Sequence, residues 1–273
     1  PTVKKEKRIA EKPGRLLSPS MESSYDFALS TLRAASGCEK NFVISPFSLG
    51  AALAIVHDGA KDETKGELTR LLGKTIAPSE VSLLYSSLTK ALSKKFSPVI
   101  TTVANRIYLD KQTHINTEYN AHIEKYFNSS AHNINLKNGV ASAEIVNSFV
   151  NEITRGKIPN IVTAEDFDGA VMLLINAIYF KGNWYVPFEK RDTHALPFHG
   201  ITGDREESFM NAYDQLAFYT LDENLTALTL QYKDDAFSLL LLMPSSGNFR
   251  KWRSNLSATK LHNIMNNLRK GTI

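Results

Sequence analysis

Residues Asn41–Gly73 read NFVISPFSLGAALAIVHDGAKDETKGELTRLLG and hold the clearest local signals in the chain. A short apolar run, Phe42–Ile44, precedes Ser45 and Pro46. A helix is predicted to begin at Ser45 and Pro46, because serine caps helices well and proline is favoured in their first turn. A second helix is predicted over Thr64–Leu72. The first of the two helices ends at Gly59, and its predicted buried stripe comprises Leu49, Ala52, Leu53 and Val56.

Periodicity along the rest of the chain places most helices in the first half and most strands in the second. The further predicted helices are Tyr25–Ala35, Ser79–Lys94, His114–Phe127, Ser142–Thr154, Phe249–Ser254 and Thr259–Lys270. The predicted strands are Val99–Leu109, Asn133–Leu136, Val171–Phe180, Arg205–Ala212, Leu216–Thr220, Ala227–Tyr232 and Phe237–Met243. Because helices and strands are segregated and do not alternate, the fold class is α+β.

Composition indicates an ordinary globular protein of 273 residues, with 42% hydrophobic and 22% charged residues. No run of 18 apolar residues is present, so no membrane span is expected. The net charge of +4 arises within residues 1–20, where six basic residues face two acidic ones, and the remainder is balanced. We therefore predict a flexible basic leader over 1–20 and one domain over 21–273, with no nucleic-acid partner.

Searches for catalytic and metal-binding patterns give negative results. The motifs G-x-S-x-G, H-E-x-x-H and C-x-x-C are absent, so an enzyme is not expected. His194 and His199 lack a third ligand at suitable spacing, and we interpret them as exposed loop residues without a metal. Cys38 is the only cysteine, so no disulfide can form within the chain.

A second stretch, Asn176–Phe188, reads NAIYFKGNWYVPF and, together with Asn41–Gly73, resembles the serpin family. Residues 142–162, SAEIVNSFVNEITRGKIPNIV, are similar to helix F of serpins and its exit, although Phe149 stands where tryptophan is usual. Residues 234–246, DDAFSLLLLMPSS, resemble strand 3B, and the resemblance implies a further strand, 6B, at Phe42–Ile44. The resemblance extends from Tyr25 to Ile273 and implies the serpin fold, in which helices pack around three β-sheets, here without the C-terminal strands.

The resemblance also implies roles for particular side chains. Ser45, Ser48 and Asn176 correspond to the shutter, a polar cluster beneath the centre of sheet A that exchanges hydrogen bonds when its strands part. Phe180, Gly182 and Trp184 correspond to the breach and its turn, at the top of that sheet, where a loop first enters. We expect Gly182 to supply backbone freedom in φ. All six could instead be ordinary core and turn residues.

The function implied is suicide inhibition of a serine protease, or sometimes a cysteine protease. A reactive loop is cleaved and acylates the protease, then inserts into sheet A as a new strand and distorts the protease. The resemblance implies no cofactor, and a monomer when the chain is full length. The reactive site would lie beyond Ile273. A non-inhibitory serpin acting as a carrier, chaperone or signalling partner, or an inactive truncated serpin, remains an alternative.

Three further expectations depend on the same resemblance. Without the strands that follow in serpins, residues 1–273 alone should expose the edge of Val171–Phe180 and should not form a stable inhibitor. Lys90, Lys94 and Lys95 are either a solvated face or a small glycosaminoglycan site. The family favours an extracellular location, whereas the lack of a signal peptide and the single cysteine favour a cytoplasmic one.

Overall fold

The computed structural model describes residues 16–35, 41–92, 97–200, 203–212, 216–222, 224–245 and 249–272. Its helices are α1 Pro19–Ala35, α2 Pro46–Gly59, α3 Asp62–Leu72, α4 Val81–Leu92, α5 Thr117–Phe127, α6 Gly139–Ile153, α7 Phe249–Ser254 and α8 Ala258–Asn266. Its strands are β1 Val99–Asp110, β2 Ser130–Ile134, β3 Met172–Gly182, β4 Thr193–Gly200, β5 Gly203–Met210, β6 Leu216–Asp222, β7 Leu225–Gln231, β8 Ser238–Pro244 and β9 Arg269–Thr272. Short 3-10 turns occupy Pro78–Glu80, Ala164–Phe167 and Lys190–Asp192.

Helix α2 is the central helix of the first half of the molecule. It begins where the sequence predicts, because the Ser45 side chain accepts a hydrogen bond from the Ser48 amide and Pro46 occupies the first turn. It contacts α1, α3, α4, α5, β1 and β3, so it is buried on several sides. The predicted buried stripe is wrong at Leu49, which is 44% exposed, because the helix packs against its neighbours mainly through small side chains. Ala51, Ala54 and Ile55 are fully buried.

The sheet that positions the candidate site has the strand order β2-β1-β3. Strands β1 and β2 are parallel, and β1 and β3 are antiparallel with Asn105 opposite Asn176. One face of this sheet packs against α6, through a core that includes Tyr108 and Ile175. The other face packs against α2, α4 and α5. Among the described residues β3 pairs only with β1, so its outer edge carries no neighbouring strand.

Two further sheets complete the fold. Strands β4 and β5 form a hairpin, and β8-β7-β6-β9 form a four-stranded antiparallel sheet. The latter packs against α1 and α8 around Leu29, Leu225 and Ile264. The three sheets and the surrounding helices confirm the predicted α+β class.

Several predicted elements need correction. His194 and His199 lie in β4, not in a loop, because that segment pairs along its whole length with β5. Residues Arg269–Thr272 form β9 and do not extend the last helix, because they pair with β6. Phe42–Ile44 is not a strand: it has no pairing partner among the described residues, and Val43 is 98% exposed.

The remaining differences concern boundaries. Helix α1 begins at Pro19, inside the predicted leader, because the Ser18 hydroxyl accepts a hydrogen bond from the Met21 amide. Residues 1–15 of that leader, and Cys38, lie outside the described residues. The predicted strand Asn133–Leu136 is displaced to Ser130–Ile134, where it meets β1. The other predicted helices and strands are confirmed to within a few residues of their ends.

Candidate functional site

A chain of three polar side chains links α2 to the sheet. The Ser48 hydroxyl donates to Asn176 Oδ1, and Asn176 Nδ2 donates to Asn105 Oδ1 at 2.6 Å. Ser48 and Asn105 are 3% and 4% exposed, respectively. Hydrogen bonds in such a dry environment are strong, and a group left without its partner is costly. We call Ser48, Asn105 and Asn176 the amide cluster.

The backbone explains why these side chains meet. Asn105 and Asn176 are directly opposite each other in the β1–β3 ladder, so their side chains lie on the same face. That face is directed towards the first turn of α2, where Ser48 lies. Ser129 adds a further contact by donating to the Asn105 carbonyl at 3.0 Å. Among the residues that the structure describes, none accepts a hydrogen bond from the buried Asn105 Nδ2 atom.

Sequence reasoning finds two members of this cluster and misses the third. Ser48 and Asn176 are predicted to lie together, and they do. Ser45 is predicted with them, but its hydroxyl caps α2 by accepting a hydrogen bond from the Ser48 amide at 3.3 Å. Asn105 is not predicted. The available signal is an amide side chain within the β-branched strand Val99–Leu109, a position where a buried polar group needs a partner.

An aromatic cluster lies at the end of β3. The Trp184 ring stacks on Tyr232 with centroids 4.4 Å apart, and the two residues form an isolated antiparallel bridge. The Phe180 ring meets the Tyr232 ring edge-on with centroids 5.1 Å apart, and its centroid lies 5.7 Å from that of Phe237. The ring centroids of Phe188 and Trp184 are 6.4 Å apart. Such pairs contribute about 0.5–1.5 kcal/mol each beyond their burial. The predicted breach residues Phe180 and Trp184 therefore share one cluster.

The predicted role of Gly182 is wrong. Its φ does not lie in the left-handed region, so backbone freedom is not what this position requires. A Cβ atom there would stand 2.5 Å from Tyr232 Cδ1. Glycine is needed because the Tyr232 ring lies directly against the backbone of β3.

Of the three lysines predicted as a glycosaminoglycan site, the structure describes one. Lys90 is exposed in the last turn of α4, and Lys94 and Lys95 lie outside the described residues. Within the described ranges, no three His, Cys, Asp or Glu side chains are grouped in a way that could hold a metal ion. No helix in the described part of the chain is long and apolar enough to span a membrane.

Comparison with known proteins agrees with this geometry. The family model for serpins (serine protease inhibitors) matches residues 22–273, so the chain belongs to the serpin family. It is 30% identical over 232 residues to human leukocyte elastase inhibitor, covering 81% of this chain and 61% of that protein. It is 32% identical over 210 residues to Drosophila melanogaster serine protease inhibitor 42Dd, covering 75% and 56% respectively.

Solved structures show the same fold. The native state of tengpin, a thermophilic serpin, matches with a TM-score of 0.85 at 22% identity, covering 97% of this chain and 67% of tengpin. Thyroxine-binding globulin in complex with thyroxine matches with a TM-score of 0.83 at 21% identity, covering 93% and 71%. The chain spans 53–62% of the length of the curated relatives it matches.

Proposed function

We propose that the full-length protein containing these residues inhibits a serine protease by inserting its cleaved reactive loop beside β3. The protease serine would form an ester with the loop carbonyl while the new amino terminus leaves. Insertion would then distort the active site of the acylated protease before water hydrolyses the ester. Two curated relatives, 30% and 32% identical, are named as inhibitors of leukocyte elastase and of serine proteases, which supports this choice of partner.

The observation that carries the proposal is the amide cluster, which joins α2 to β3 and β1 through hydrogen bonds at the strand beside which the loop would enter. A strand edge presents unpaired N–H and C=O groups, which an entering strand can satisfy. Asn176 lies on β3, and Asn105 Nδ2 is a buried donor with no acceptor in the described part of the chain. In this proposal the amide cluster is the shutter, because amides and a hydroxyl can change partners as strands part whereas an apolar cluster cannot.

The aromatic cluster is proposed as the breach, where insertion begins. It encloses the end of β3 at Gly182, and Phe180 is 43% exposed. An entering loop would first meet this exposed ring. Contact of a glycosaminoglycan with Lys90, Lys94 and Lys95 stays a prediction, because Lys94 and Lys95 lie outside the described residues.

A direct test uses the full-length protein with trypsin, chymotrypsin and pancreatic elastase. An inhibitor should form an SDS-resistant complex with at least one of them, and the loop-cleaved protein should melt at a higher temperature than the intact protein. Absence of both effects would reject inhibition and favour a carrier, chaperone or signalling role. The fold itself does not decide between these, because the structural neighbours include thyroxine-binding globulin with bound thyroxine.

A matched pair of variants links the result to the amide cluster. Ser48→Ala removes a donor to Asn176, and Ser45→Ala removes only the helix cap. If the amide cluster acts as the shutter, Ser48→Ala should change the rate of complex formation more than Ser45→Ala does. Equal effects would assign both serines to stability alone.

A further inference from the structure

A cavity opens to solvent at the end of α2, where that helix meets α3, α5 and the β2-β1-β3 sheet. Its volume is about 740 Å³. Small-molecule sites in proteins occupy about 300–1,000 Å³, so the cavity is large enough to hold such a ligand. It lies on the face of the sheet that α2 covers, opposite the face that packs against α6. We call this space the basal cavity.

One wall of the basal cavity is apolar and belongs to the sheet. Ile107 of β1 and Leu174 of β3 are directly opposite each other in the ladder, so their side chains share one face. Met172, two residues before Leu174, lies on that face too and is 46% exposed. A ligand with an apolar body would remove this surface from water, which is favourable.

The opposite wall is held in place by Tyr119, which joins α5 to α2. Its phenol donates a hydrogen bond to the Ile55 carbonyl at 2.7 Å. Its ring lies so close to the end of α2 that a Cβ atom at Gly59 would stand 3.1 Å from it. The Asn116 side chain fixes the start of α5 by accepting a hydrogen bond from the Tyr119 amide at 3.1 Å. The cavity is therefore formed by packed helices and does not depend on a ligand for its shape.

Two lysines of α3 line the mouth of the basal cavity. Lys61 immediately precedes α3 and Lys65 follows one turn later, so the two side chains are neighbours. Lys65 is half-buried, and neither ammonium forms an ion pair or a hydrogen bond with any residue that the structure describes. The helix that carries them is tied to α2, because the Thr69 hydroxyl lies 3.0 Å from His57 Nε2. A partly desolvated cation in this position is stabilised by an anion.

The carboxylates near the basal cavity do not neutralise these lysines. Asp58 lines the cavity, but its carboxylate accepts a hydrogen bond from His122. Glu118 is exposed and forms no ion pair with either lysine. Asp62 and Glu63, in the first turn of α3, do not line the cavity. The mouth of the cavity therefore complements a negative charge.

We propose that the basal cavity binds a small amphipathic anion, a carboxylate with an apolar chain. The carboxylate lies at Lys61 and Lys65, and the chain lies along Ile107, Met172 and Leu174. A small inorganic anion would leave the apolar wall in water, and an uncharged lipid would leave Lys65 without a partner. The inference goes beyond the proposed function and does not depend on it, because neither a protease nor a reactive loop takes part.

Calorimetric titration of the full-length protein with sodium decanoate tests the chemistry of the ligand. Decanol keeps the chain and lacks the charge, so it should bind about 3- to 10-fold more weakly than decanoate. Acetate keeps the charge and lacks the chain, so it should show no binding at the same concentrations. A protein that does not bind decanoate overturns the proposal. Decanol or acetate binding as tightly as decanoate overturns the amphipathic ligand.

Methyl NMR of isotope-labelled methionine tests the location. Decanoate should shift the signal of Met172, which is assigned by its absence in Met172→Leu. Met210 and Met243 are 60% and 62% exposed and lie outside the cavity, so they report any unspecific adsorption and should not shift. An unchanged Met172 signal, or equal shifts at all three residues, overturns the site.

A matched set of lysine variants tests the assignment of the charge. Lys65→Met removes the ammonium and keeps a long apolar side chain, so decanoate should bind about 3- to 10-fold more weakly. Lys65→Arg should retain most of the affinity. Lys74→Met is the control, because Lys74 pairs with Asp26 at 3.0 Å and does not line the cavity. Thermal denaturation confirms that each variant is folded before its affinity is compared. Equal affinities for wild type and Lys65→Met, or equal losses for Lys65→Met and Lys74→Met, overturn the role of Lys65.

Discussion

The carboxylate of Asp58 accepts a hydrogen bond from His122 Nε2 at 2.7 Å and joins four helices at one buried point. Its side chain is 9% exposed, and it also receives the Ser82 hydroxyl. His57 lies 3.2 Å from the same carboxylate through Nδ1 and 3.0 Å from the Thr69 hydroxyl through Nε2. One carboxylate thus ties α2 to α4 and α5 directly, and to α3 through His57.

Asp58→Asn should therefore destabilise the protein despite its unchanged shape. An amide has one acceptor oxygen where the carboxylate has two, so either His122 or the pair Ser82 and His57 loses its acceptor. The expected cost is about 1–3 kcal/mol in urea denaturation of the full-length protein. Asp26→Asn is the control, because Asp26 pairs with the exposed Lys74 at 3.0 Å, and such surface pairs contribute about 0–1 kcal/mol. Equal losses in the two variants would contradict a structural role for Asp58.

The two serines at the start of α2 should differ in stability as well as in function. Ser45→Ala removes the helix cap and should cost about 1 kcal/mol. Ser48→Ala leaves the Asn176 oxygen short of its donor inside the sheet, and should cost about 1–3 kcal/mol. Thermal denaturation of both variants and of Ser45→Ala/Ser48→Ala measures the difference. A loss for Ser45→Ala larger than that for Ser48→Ala would contradict the greater cost expected for the buried hydrogen bond.

The sequence predicts elements whose signals are local and fails where pairing is long-range. Ser45 and Pro46 predict the start of helix α2, and the structure confirms that start. Strand β4, reading THALPFHG, contains proline and two histidines, and most of its residues are exposed, so no buried face produces an alternating pattern. Strand β9 is set by pairing with β6, some 50 residues earlier in the chain, and nothing within its own four residues marks it.

In the candidate site, too, the sequence identifies residues that carry a local signal and misses those that long-range pairing brings together. Ser48 and Asn176 could be paired from family resemblance, because both lie in the stretches that carry it. Asn105 belongs with them only through the β1–β3 register, which places it opposite Asn176, and no local pattern fixes that register. The contact of Gly182 with Tyr232 likewise joins segments 50 residues apart, so the sequence suggested backbone freedom where the structure has a close approach.

Gly182→Ala should disturb the aromatic cluster. Its new methyl group would stand 2.5 Å from Tyr232 Cδ1, so the ring must move and its stacking on Trp184 must weaken. We expect a loss of about 1–3 kcal/mol and a change in tryptophan fluorescence. Tyr232→Leu should restore part of the stability in the double variant.

Gly66→Ala is the control: its methyl group would meet only Arg70 at 3.7 Å on α3, so helix propensity should make it neutral or stabilising. A Gly182→Ala protein as stable as Gly66→Ala would refute the close contact.

Tyr119 should make stability fall at alkaline pH. Burial, with a smaller contribution from the Asp58 carboxylate, raises the pKa of Tyr119 to about 12, whereas the pKa of an unfolded tyrosine is about 10. The unfolded chain therefore loses this proton first, and the stabilisation is fully present below pH ~10 and lost as pH rises through ~12.

Tyr119→Phe also loses the hydrogen bond from the phenol to the Ile55 carbonyl at 2.7 Å, so at pH 8 it should be less stable by about 1 kcal/mol. Urea midpoints measured from pH 8 to 11.5 should converge for the two proteins as pH rises, while Tyr185→Phe, at a position 68% exposed, controls for the loss of any tyrosine. Parallel curves for wild type and Tyr119→Phe would show that this phenol does not govern the alkaline loss.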